Sequence, residues 1–77
     1  MKMYLIERKG EEPEYDVANG FVIAAPTPMT ARLAASRQHG DEGKHVWLDP
    51  KLSRCRCIAQ DSVYKKVTIV LVDFRAG

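Results

Sequence analysis

The sequence predicts an α+β fold: a small antiparallel sheet of about four strands with one short helix packed on one face. Three observations lead there. Residues 3–8 and Ser53–Ala59 alternate at the two-residue period of a strand, and residues 67–74 form an unbroken β-branched, apolar run. One segment, residues 28–39, has a helical period and follows the break Pro26-Thr27-Pro28. The chain has 77 residues, room for one core, so residues 1–77 read as a single domain.

Each element has its own justification. Residues 3–8 place Met3, Leu5 and Glu7 on one face of a strand and Tyr4, Ile6 and Arg8 on the other. The charged stretch 9–16, with Gly10 and Pro13, reads as a long loop. Asn19-Gly20 is a turn signal, and residues 21–25 then read as a second, buried strand completing a hairpin. Thr27 is placed to cap the helix, with Pro28 at its first position, where a missing N–H costs nothing. Met29 and Leu33, flanked by Ala31, Ala34 and Ala35, predict a narrow apolar stripe, and Gly40 predicts the stop. Residues 45–48 suggest a short strand with Trp47 as a core anchor. In Ser53–Ala59, Cys55, Cys57 and Ala59 share one face and Arg54, Arg56 and Ile58 the other. Residues 67–74 are apolar on both faces, which predicts an interior strand beside residues 3–8.

Composition excludes several classes. Apolar residues make up 45% and charged ones 29%, the balance of a folded chain rather than a disordered one. No apolar run approaches the roughly 20 residues that span a bilayer, and the first residues lack the layout of a signal peptide, so a cytoplasmic protein with no membrane partner is expected. Two cysteines cannot make a secreted disulfide framework. The net charge of +2 conceals a gradient. Residues 1–16 carry three basic and five acidic side chains, a net of −2, whereas residues 44–77 carry seven basic and three acidic, a net of +4.

Catalytic patterns are missing from the sequence. It has no glycine-rich phosphate loop, no HExxH and no Gly-x-Ser-x-Gly elbow. Cys55 and Cys57 with His39 and His45 could be read as zinc ligands, yet structural zinc sites use Cys-x-x-Cys knuckles, and i, i+2 spacing on a strand is met by two thiols facing a core. A thiol nucleophile is disfavoured because Arg54 and Arg56 lie on the opposite strand face. The expectation is a protein that is not an enzyme, with no catalytic residues, cofactor or metal. Two charged sets remain. Glu11, Glu12, Glu14 and Asp16 make an acidic loop suited to a basic protein partner, and Arg54, Arg56, Lys65 and Lys66, with Tyr64 among them, make a basic set suited to nucleic acid.

Several segments in order carry a resemblance: Tyr4-Leu5-Ile6-Glu7, residues 21–25 followed by Ala31-Arg32-Leu33-Ala34, Asp41-Glu42-Gly43, Trp47-Leu48-Asp49-Pro50 and the ending from Val70 to Gly77. Together, over about two-thirds of the chain, they resemble small uncharacterised accessory proteins of bacteriophages and prophages. The resemblance implies no enzymatic residues. By analogy of size and context it implies an inhibitor similar to anti-CRISPR proteins, which docks on and blocks a host defence complex in the bacterial cytoplasm. The expected partner is a host protein complex that handles nucleic acid, met by the acidic loop. The alternative is a small nucleic-acid-binding accessory protein that uses the basic set.

Overall fold

The computed structural model describes residues 1–10 and 16–75. Along the chain come β1 (Lys2–Arg8), β2 (Val17–Ala25), α1 (Pro28–Ser36), α2 (His45–Leu48), β3 (Ser53–Ala59) and β4 (Thr68–Arg75). The four strands form one antiparallel sheet in the order β3-β1-β2-β4, with α1 packed against it. This is the α+β architecture expected from the sequence.

Alternation decides which side chains meet the helix. Tyr4 and Ile6 of β1 and Phe21, Ile23 and Ala25 of β2 point to one face and pack with Ala31, Ala35 and Trp47. Trp47 is fully buried and stands edge-on to Phe21, with ring centroids 4.8 Å apart and planes at 88°. Thr27 caps α1, its Oγ1 accepting from the Thr30 N–H at 3.2 Å.

Six expectations are corrected. The last strand is not interior and does not adjoin β1; it pairs with β2 and forms an edge, because β1 already lies between β2 and β3. An apolar run on both faces signals a need for cover but not where that cover comes from. Residues 45–48 are one helical turn, not a strand: the Trp47 N–H bonds to the Lys44 carbonyl and the Asp49 N–H to that of His45. Asn19-Gly20 lies inside β2 rather than in a turn. The register shifts between Ala18 and Gly20, and a Cβ on Gly20 would sit 3.2 Å from the Ile6 carbonyl oxygen.

The helix also differs. It stops at Ser36, where the Arg37 and Gln38 N–H groups turn back on Ala34 and Ala35, so Gly40 is not its stop signal. Gly40 is demanded instead by close approach, since a Cβ there would lie 2.7 Å from the Asp16 carbonyl oxygen and 2.8 Å from the Phe74 ring. Met29 and Leu33 are exposed, and the buried face of α1 is Ala31, Arg32, Ala35 and Ser36. Small side chains let the helix lie close to the sheet, which turns the bulkier ones outward. The thiols are likewise not both in the core: Cys55 is half-buried and Cys57 exposed, because β3 is an edge that the helix covers only in part.

Candidate docking surface

Both helices pack on one side of the sheet, and among the described residues no helix lies over the side chains of the opposite face. Cross-strand register orders that face into rows, because directly opposed residues share a face. One row runs Arg56, Leu5, Val22, Leu71 from β3 to β4, and the next runs Arg54, Glu7, Gly20, Asp73. Where Gly20 offers no side chain, a shallow notch of about 130 Å³ opens, with Leu5, Val22 and Leu71 as apolar wall and Glu7 and Asp73 as acidic rim. The pocket is an open concavity, not a closed chamber. Its acidic end is where the chain leaves β1 for the 9–16 connection.

The charged sets are placed unequally. Glu11, Glu12 and Glu14 lie outside the described residues. Asp16 is exposed at the mouth of β2 in a left-handed conformation (φ 59°) that aspartate tolerates, and its carbonyl accepts the Asp41 N–H at 2.9 Å. Arg54 and Arg56 are exposed on the open face of β3, with Glu7 directly across from Arg54. Lys65 and Lys66 belong to the crossover from β3 to β4. That crossover passes the opposite end of the sheet, where the Ser62 hydroxyl donates to the Met1 carbonyl at 2.6 Å and the chain's amino group meets the Tyr64 carbonyl at 3.4 Å. The basic set is therefore divided between a strand face and a distant crossover.

The thiols and histidines do not converge. His39 engages its neighbour Gly40 through Nδ1, 2.7 Å from the carbonyl oxygen, and Cys57 donates to the Ala59 carbonyl at 3.3 Å. Burial pushes the Cys55 thiol above its ordinary pKa, opposed by the Arg32 charge and reinforced by Cys57. A thiol held protonated is a poor nucleophile at neutral pH. Among the described residues, no group of three or more His, Cys, Asp and Glu side chains is arranged to hold a metal ion, and no helix is long and apolar enough to cross a membrane.

Compared with known protein families, curated proteins and solved structures, this chain matches none.

Two polar side chains that shape this architecture escape sequence reasoning. Arg32 is only 8% exposed; its Nη1 donates to the Trp47 carbonyl (3.0 Å) and Ser53 Oγ (2.8 Å), and its Nη2 to the Ser53 carbonyl (3.2 Å). Glu42 accepts from the Ala18 N–H (3.1 Å) and Gly40 N–H (2.7 Å) with Oε1 and from Trp47 Nε1 (2.6 Å) with Oε2. The small residues Ala31, Ala35 and Ser36, read as the buried face, would have signalled Arg32 on the same side. Nothing local signals Glu42, whose partners are brought together only by the fold.

Proposed function

We propose that this protein acts by binding, docking on a protein complex and blocking it without catalysis, through the uncovered sheet face and the acidic segment at its end. The observation that carries the reading is the open face itself: an apolar row, Leu5-Val22-Leu71, bordered by Glu7 and Asp73. A contiguous apolar strip with a polar rim is the usual make-up of a protein-binding surface. Glu7 and Asp73 stand at the end where the acidic residues Glu11, Glu12, Glu14 and Asp16 follow in sequence. That run of negative charge suits a basic, nucleic-acid-handling partner. The resemblance to phage accessory proteins makes the finer proposal a phage-type inhibitor of a host defence complex, of the anti-CRISPR kind, working in the bacterial cytoplasm.

Exposure of Arg54 and Arg56 favours a second reading, nucleic-acid binding. The separation of Lys65 and Lys66 from them, and Glu7 opposite Arg54, weigh against it.

Capture of partners from bacterial lysate, identified by mass spectrometry, tests the first reading. Neutralising Glu11, Glu12, Glu14 and Asp16 together is expected to slow association with the captured protein and flatten its salt dependence, while neutralising Arg54, Arg56, Lys65 and Lys66 changes little. A gel-shift titration tests the second. Micromolar or tighter binding of DNA or RNA at physiological salt, controlled by the basic four, would overturn the inhibitor reading, being far tighter than the about 10⁻⁴ M end of non-specific binding.

A further inference from the structure

The two edges of the sheet are guarded differently. β3 carries Arg54 and Arg56, and charge on an edge strand discourages pairing with another sheet. β4 has its charges, Asp73 and Arg75, only at its end, and from Thr68 to Val72 it carries none and shows apolar side chains on both faces. Leu71, on the open face, is 62% exposed; Val72 and Phe74, on the helix side, are 43% and 48% exposed. Such a strand matches a position with neighbours along both edges, yet among the described residues β4 pairs only with β2. α1 packs mainly over β2, β1 and β3, and Phe21, Gln38, Ile69, Val72 and Phe74 line an open groove of about 520 Å³ beside β4.

We infer that a second copy of this chain covers that edge, the two β4 strands pairing antiparallel about a two-fold axis to join the sheets into one of eight strands. A two-fold contact needs a self-complementary surface, and β4 provides one. An axis beside Val70, the extra residue where β4 bulges opposite β2, keeps the bulge at the centre of the contact. With the two residues before β4 drawn into the pairing, the same axis sets Lys66 of one copy opposite Asp73 of the other and Val67 opposite Val72. Each end then joins opposite charges, with the pairs Val67/Val72, Thr68/Leu71 and Ile69/Val70 between them. A contact made by one strand edge and its groove is of the small, transient kind, so the expected dissociation constant is in the micromolar range. The inference shares Leu71 and Asp73 with the docking notch but differs from that reading in resting on the outer edge of β4, where Val72, on the helix side, lies outside the notch and tells the two apart.

Sedimentation velocity from about 1 μM to about 1 mM tests it across the affinity range of weak dimers. The wild type is expected to pass from monomer to dimer. Val72→Lys should weaken dimerisation at least tenfold with an unchanged circular dichroism spectrum, since the position is already part-exposed. Lys66→Asp and Asp73→Lys should each weaken it, and the double exchange should restore it. A wild type that stays monomeric overturns the inference, as does a Val72→Lys variant that dimerises normally. So does a charge exchange that restores nothing. A monomeric wild type whose lysate partner is lost on Val72→Lys also overturns it, because the edge then belongs to a different protein.

Discussion

A guanidinium taken out of water costs several kcal/mol unless its donors are met, and Arg32 meets them with two carbonyls and a hydroxyl instead of a carboxylate. Its partners lie on α2 and β3, so one side chain ties three elements together over the edge of the core. Arg32→Met keeps the stem but strands the Trp47 and Ser53 acceptors, and it should destabilise by about 2–3 kcal/mol, the scale for hydrogen bonds to charged groups. Urea unfolding measures this, and an unchanged midpoint would show that the cluster contributes nothing. Glu42 does the same work for the 37–44 loop, joining β2 to Trp47. Both residues look like solvated surface charges in the sequence. Charged side chains are seldom buried, and only the converging partners, remote in sequence, reveal that these two are constrained.

α1 was legible because its start rests on local chemistry: the Thr27 side chain, Pro28 at the first position and a run of alanines. Its cap bond is exposed and stands apart from the core, so Thr27→Val should cost about 1 kcal/mol, read as a lower melting midpoint. A midpoint equal to wild type would mean that solvent replaces the cap. The orientation of α1 was not legible, since Met29 and Leu33 suggest a stripe that the close packing of Ala31 and Ala35 overrides. β3 was legible to its ends, its alternation being strict. The residues of α2 were misread because a four-residue apolar segment fits a strand or a turn of helix equally; what decides is Trp47 reaching Phe21, a contact between distant parts of the chain.

At the scale of the whole molecule, the sequence indicated the presence and direction of the strands but not their order. Hairpin pairing of β1 and β2 follows from their adjacency, whereas the places of β3 and β4 depend on a crossover running from one edge of the sheet to the other. The open face was half legible. Arg54 and Arg56 could be set on one face by alternation, but the rows joining them to Glu7, Leu5, Val22 and Leu71 require the register. Strand order in turn dictates a hierarchy of stability. Every strand-facing amide of β1 and β2 points at a neighbouring strand, and their helix side is the most buried part of the molecule. Amides of Tyr4, Ile6, Phe21 and Ile23 should therefore exchange with solvent only through global unfolding. On β4, inward amides should be protected and outward ones should exchange fast, giving an alternating pattern in dilute solution. Raising the protein concentration should slow the outward set if two β4 edges pair. NMR-detected hydrogen exchange at two concentrations reads all of this residue by residue. Uniformly slow β4 amides in dilute monomer would mean that the strand is covered from within the chain, and the edge assignment would fall.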